Sequence, residues 1–300
     1  MKVKSIIISL SLLATGLSGY SQQGTIYTQY GSMTTPLNHT GSFLRPKGEI
    51  NFITRQQWVG LEGAPKSYHF SGSLPIGNKG IIGGLTMSRD VMSIEQRNEV
   101  LAFAGKSIQL NNKNYLAISV GGGLSTYKEN LSDIDITDPV FSQDISETEG
   151  LLAVSALFYR PEKYYVGLSV PRIAFSKLGL SSTNNQRELY TQYHFITGTL
   201  IAINEYFDIK PAGLLTWSKD ISLQADLSAV LFLKKTIGLG TNIRTYGDMA
   251  GILECHTKWF NLGYSYQFNT SNQPLKRGFD NSTHEIRIGY RFGSSKGSLL

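Results

Sequence analysis

Thr283-His284-Glu285-Ile286-Arg287-Ile288-Gly289-Tyr290-Arg291-Phe292 is the stretch that decides the fold. From Ile286 onward every second residue is large and apolar, and the residues between are charged or glycine. A side-chain period of two puts these sets on opposite faces of a strand. Arg287 and Arg291 then face one side, and Ile286, Ile288, Tyr290 and Phe292 the other. The pattern recurs upstream in Leu223, Ala225, Leu227, Ala229, Leu231 and Leu233, in Ile237, Leu239, Thr241 and Ile243, and in Leu262, Tyr264, Tyr266 and Phe268. Gln224, Asp226, Ser228, Gly238, Gly240, Asn242, Arg244, Gly263, Ser265 and Gln267 alternate with them and suit a lumen. The reading is all-β: a single transmembrane antiparallel up-and-down β-barrel of about 14 strands in an outer membrane, with lipid outside and a polar interior.

The first residues carry an export pattern. Lys2 and Lys4 precede an apolar stretch from Ile6 to Leu17, and Gly19 and Ser21 supply the small residues of a cleavage site. Residues 1–21 read as a secretory signal peptide cut near Ser21, so that the mature chain starts at Gln22. No other run reaches the roughly 18–20 apolar residues of a membrane helix. A spanning protein of this kind needs closed strands to satisfy its backbone in lipid. We expect 22–47 to be an N-terminal segment, periplasmic or plugging the lumen, 48–293 to be the barrel and 294–300 a C-terminal tail.

Composition agrees. Aromatics at 11% and 31 glycines suit interfacial girdles and crowded wall positions. The single cysteine, Cys255, allows no intramolecular disulfide and no cysteine metal cluster, and reads as a small wall residue. The net charge of +6 is spread singly over strands and turns. With no basic run, groove-reading helix or zinc spacing, nucleic acid is not an expected partner; outer-membrane lipid is.

Turn signals divide 48–293 into fourteen segments, among them 97–110, 150–160, 163–173, 250–260, 261–270 and 283–293. The turns at Gly77-Asn78-Lys79, Asn111-Asn112-Lys113, Pro161-Glu162, Asn204-Glu205-Tyr206, Lys234-Lys235 and Trp259-Phe260 are all short and fall on one side. The longest connections, near 129–149, 174–186 and 271–282, fall on the other. Outer-membrane barrels have this asymmetry, with short periplasmic turns and longer outer loops.

Further motifs carry a resemblance. Arg55-Gln56-Gln57-Trp58-Val59-Gly60-Leu61-Glu62-Gly63-Ala64-Pro65, preceded by Gln22-Gln23 and Tyr27-Thr28-Gln29-Tyr30, resembles the opening of the PorP/SprF family of type IX secretion system membrane proteins of Bacteroidota. Leu74-Pro75, Gly77-Asn78-Lys79-Gly80, Asp138-Pro139, Arg160-Pro161 before Tyr164-Tyr165-Val166-Gly167-Leu168-Ser169, and the closing His284-Glu285-Ile286 with Tyr290-Arg291-Phe292 extend it over the chain. The resemblance implies an accessory barrel that assists export or surface anchoring of specific secreted proteins, of adhesin or gliding type. It also implies contacts with other type IX components and with the C-terminal domain of a secreted cargo protein.

The candidate docking or loop-shaping residues are Gln57, Trp58, Gly60, Gly63, Pro65, Asp135, Asp138 and Pro139. Gly60 and Gly63 permit positive φ in a shaped loop between Trp58 and Pro65. That loop reads either as an interfacial tryptophan with turn glycines or as a surface that closes the mouth or docks a partner. Asp133, Asp135, Asp138, Asp144, Glu147 and Glu149 offer oxygens of the kind calcium takes, but lack the central glycine and closing glutamate of an EF-hand loop. They read as a solvated outer loop, with Asp133-Ile134-Asp135 and Asp138-Pro139 as a charged rim.

Catalysis finds little support. His39, His69, His194, His256 and His284 show no metal-binding spacing, and there is no Gly-x-Ser-x-Gly elbow. His69 and Ser71, on one strand face, are a conceivable seed for a lipid-active enzyme and read as wall residues. No cofactor is expected. A passive porin or solute transporter is the alternative function.

Overall fold

The computed structural model describes residues 25–45, 47–133, 143–177, 191–219, 221–245, 248–269 and 282–292. Among them fifteen hydrogen-bonded segments form one sheet, and two of these, Gln192–Thr199 and Ile201–Ala202, are parts of a single crossing interrupted at Leu200, leaving fourteen spanning strands. These are β1 (Glu49–Gln57), β2 (Lys66–Pro75), β3 (Ile81–Met92), β4 (Glu95–Gln109), β5 (Tyr115–Glu129), β6 (Ile145–Arg160) and β7 (Tyr164–Lys177). They continue as β8 (Gln192–Thr199 with Ile201–Ala202), β9 (Phe207–Ser218), β10 (Ile221–Leu233), β11 (Ile237–Arg244), β12 (Asp248–His256), β13 (Phe260–Asn269) and β14 (Thr283–Arg291). Each strand pairs antiparallel with its neighbours in sequence, and β1 pairs with β14 from Glu49↔Arg291 to Gln57↔Thr283. The sheet is therefore a closed barrel with no free edge.

The alternation of β14 becomes geometry. Glu285, Arg287 and Arg291 are buried inside, while Ile286 and Ile288 are about half exposed on the outer face. Leu227, Leu239, Leu168 and Val120 are still more exposed. An apolar band on all sides of a closed barrel is stable only against lipid.

Several strand limits differ from the sequence pattern: β12 ends at His256 rather than at 260, and other strands run further at the long-connection end. β6 starts at Ile145, five residues before the expected 150, β7 runs on to Lys177, and β4 starts at Glu95. Ser146 and Thr148 on one face and Glu147 and Glu149 on the other carry no apolar alternation. These ends nevertheless keep their ladder, with Glu147 opposite Tyr127 and Glu95 opposite Glu129. At the opposite end Phe260 belongs to β13 rather than to the turn, because Thr257 caps the turn and accepts the Phe260 N–H on its hydroxyl oxygen.

The interior is not uniformly polar. Towards the short-turn end, Leu157, Tyr165, Ile196, Leu214, Phe232 and Ile252 point inward and form an apolar core with Tyr30, Leu37 and Phe43 of the N-terminal segment. Inward-facing charged residues fill much of the remainder.

Candidate functional site

Residues Thr25 to Arg45 lie inside the barrel. With no strand to pair with, their backbone satisfies itself by turns: the Gln29 carbonyl accepts from Ser32 and Met33, and the Thr34 carbonyl from Leu37 and Asn38. A short 3-10 helix, His39–Leu44, follows, and Asn38 caps it by accepting the Thr40 N–H on its side chain. Nearly all of the segment is buried, Tyr30 completely.

The wall holds it on almost every side. The Glu285 carboxylate accepts the N–H groups of Thr28 at 2.9 Å and Gln29 at 3.0 Å. Arg55, ion-paired to Glu285 at 3.2 Å, also donates to the Thr28 hydroxyl. Arg287 donates to the Gln29 amide oxygen. Ser32 donates to Glu254 and accepts from Lys210. The Tyr30 hydroxyl reaches the carbonyls of Ala212 and Asp226, and the Asn38 amide those of Ala156 and Leu168. His39 stacks on Phe103 with ring centroids 4.7 Å apart. Burial lowers the His39 pKa to about 4 and pushes the Tyr30 hydroxyl well above its ordinary value.

Glycines make the fit possible. Gln29 occupies the space where a side chain at Gly263 would lie, and Asn38 would be 2.7 Å from a Cβ on Gly167. The segment also has a direction. Thr25 hydrogen-bonds Ser67 and Asp90 at the end that carries the long connections, whereas Arg45 pairs with Glu49 at the start of β1, the short-turn end.

At the long-connection end, a cavity of about 400 Å³ opens between Thr25, Ile26 and the loop joining β1 to β2. Gln57, Trp58 and Pro65 line it. Gly60 and Gly63 stand away from it in the exposed loop, at φ of +95° and +71°, the left-handed conformations that glycine permits. The Gly63 carbonyl accepts the Ser93 N–H at 2.8 Å and so ties this loop to the β3–β4 hairpin. Trp58 itself sits at φ +48° and is partly exposed. Asp135, Asp138 and Pro139 lie outside the described residues, as do residues 1–21 and 294–300. Asp144 accepts from Ser132 at the base of the acidic connection, while Glu147 and Glu149 belong to β6. Among the described residues no three acidic, histidine or cysteine side chains are grouped to hold a metal. His69 lies against Tyr27, and Ser71 is buried beside it on the same inner face.

Sequence reading singled out the loop and passed over the wall residues that hold the segment. Arg287 was read only as an inward charge, and Glu285, Glu254 and Lys210 were given no role. The signal lay in their burial: charges enclosed in a barrel need partners.

The family model described as "Type IX secretion system membrane protein PorP/SprF" matches residues 19–290. No curated protein sequence matches the chain. Among solved structures the barrel is similar to the TodX deltaS2S3 mutant monoaromatic hydrocarbon channel, with a TM-score of 0.51 at 8% identity over 93% of this chain and 97% of that one. It also aligns with a Pseudomonas aeruginosa FadL homologue, with a TM-score of 0.49 at 10% identity over 92% of this chain and 100% of that one. The Acinetobacter baumannii outer membrane protein Omp33 aligns with a TM-score of 0.48 at 9% identity over 83% of this chain and 99% of that one.

Proposed function

From a chain that belongs to the PorP/SprF family of type IX secretion system membrane proteins, we propose an accessory outer-membrane component that assists export or surface anchoring of specific secreted proteins by protein–protein contact. Adhesin or gliding-type proteins are the proposed cargo, recognised through their C-terminal domain. Family membership implies association with other type IX components.

The observation that carries this reading is the occupied lumen. Tyr30, Leu37 and Phe43 fill the short-turn half with packed side chains, and the wall hydrogen-bonds the rest. A passive porin needs an open aqueous path; a filled barrel has its rim and loops to offer. The Trp58–Pro65 loop, held by Ser93 and standing at the long-connection mouth, is the proposed docking element, and Asp135, Asp138 and Pro139 are proposed as part of a charged rim.

The test compares surface and culture-fluid proteomes with and without this gene in a host that keeps the rest of its secretion machinery. Loss of one or a few large proteins from the surface is expected and names the cargo. An unchanged protein set, together with steady single-channel conductance, would replace this reading by the porin.

A further inference from the structure

Among the described residues that line the cavity at the long-connection mouth, Arg97 and Arg172 carry buried hydrogen-bond donors that the fold does not use. Strand register places Asp90, Arg97 and Tyr127 side by side on the inner faces of β3, β4 and β5. The Arg97 guanidinium lies over the Tyr127 ring, 5.2 Å from its centroid, and its Nη1 is buried with no acceptor. Arg172 reaches across from β7 and places Nε 2.8 Å from Glu99, two residues from Arg97 on the same face, and its Nη2 is likewise buried with no acceptor. Both arginines line the cavity.

Lys66 and Glu95 also line the cavity, and three of the neighbouring charges are committed elsewhere. Arg55 serves Thr28, Glu285 and Gln267, Arg244 is paired with Asp226, and Asp90 accepts from Thr25. The charge sum of the lining therefore does not single out a ligand; the unused guanidinium N–H groups do. A guanidinium has donors only, and its planar fork matches carboxylate and phosphate oxygens. The remainder of the wall includes Trp58, Ile26 and Met92, and the volume of about 400 Å³ is that of a small-molecule site.

We infer that this mouth cavity binds an organic oxyanion, a carboxylate or phosphate carried on an apolar body, with the oxyanion between Arg97 and Arg172 and the body against Trp58. The site is independent of the cargo reading and exists whether or not that reading holds.

Trp58 is the reporter. The chain has three tryptophans, so W217F/W259F leaves Trp58 alone, and its fluorescence in the purified barrel is titrated with benzoate, phenyl phosphate and neutral benzyl alcohol. Saturable changes with the two anions and none with the alcohol are expected, and the tighter of the two identifies the preferred oxyanion. Arg97→Gln weakens anion binding by about tenfold or more, and Arg97→Lys, which keeps charge and loses the fork, restores only part. The heat-dependent gel mobility of a closed barrel verifies that each variant folds. No saturable response to either anion, equal response to the alcohol, or unchanged binding in a folded Arg97→Gln barrel would each overturn the site.

Discussion

Arg55 of the first strand and Glu285 of the last stand directly opposite each other across the closing pair of the barrel, and their side chains form an ion pair inside it at 3.2 Å. The same carboxylate receives the backbone of Thr28 and Gln29. Removing one member of a buried pair costs about 3–5 kcal/mol, because the other is left as an unmatched charge. Glu285→Gln keeps the shape and loses the charge, so it frees the lumenal segment: protease sensitivity near Thr28 and ion conductance both rise. Adding Arg55→Met to Glu285→Gln costs less than the sum of the two single changes. Conductance equal to wild type in Glu285→Gln would remove the carboxylate from this role.

His39 makes the seating of the segment depend on pH. Its docked pKa is about 4, below the ordinary 6.5, because burial penalises the charged ring. The stabilisation is therefore complete above pH 6.5 and falls as the released form takes up a proton, by about 1.4 kcal/mol per pH unit, until pH 4 is reached. About 3 kcal/mol is lost over that window. Proteolysis of the segment across pH 7 to 4 measures it. In His39→Phe, which can retain stacking on Phe103, the slope becomes shallower.

Gly263 and Gly251 form a matched pair of tests. A methyl group at Gly263 collides with Gln29, whereas one at Gly251, on the outer face, meets nothing within 4 Å. Gly263→Ala loosens the segment by about 1–3 kcal/mol, the usual cost of overpacking, and Gly251→Ala changes nothing measurable. Thermal unfolding and amide exchange of residues 28–30 provide the comparison.

The direction of the segment is open to labelling in cells. In a Cys255→Ser background, Thr25→Cys reacts with a membrane-impermeant maleimide added outside, and Lys47→Cys reacts only after the outer membrane is permeabilised. The reverse pattern would invert the barrel.

For the docking loop, Trp58→Ala and Gly63→Val reduce surface display of cargo while the amount of barrel stays constant. Gly63 sits at φ +71° with Ser93 Cα 3.3 Å from where its Cβ would be, so valine strains the loop locally. Quantitative surface proteomics measures the loss, and normal display in both variants would take the loop out of cargo handling.

The barrel was legible because its rule is local. Ile286, Arg287 and Ile288 declare their faces by a period of two, and the short turns at Asn111-Asn112-Lys113 and Lys234-Lys235 fix which ends meet. The limits slipped where that rule lapses, at Ile145–Glu149, where both faces are polar yet hydrogen bonding continues. The packing of Tyr27–Arg45 had no such periodicity. Its turns depend on Glu285, Arg287 and Asn38 meeting across distances of more than a hundred residues, and no window of sequence contains both halves of those contacts. Trp58, Gly60 and Gly63 were visible as an unusual run; the lone donors of Arg97 and Arg172 were not, since only the register brings them to one cavity.

The seam of the barrel contains the grip on its own filling. Arg55 comes from β1, and Glu285 and Arg287 from β14, so the polar cradle for Thr28 and Gln29 does not exist until the two ends of the sheet meet. Arg55 and Glu285 would still hold each other around an empty interior, but the Glu285 carboxylate would lack the N–H groups of Thr28 and Gln29 and Arg287 the Gln29 amide oxygen; the segment supplies both at once. In the finished barrel the lumenal segment is thus the mandrel and the final strand the latch, each holding what the other leaves open.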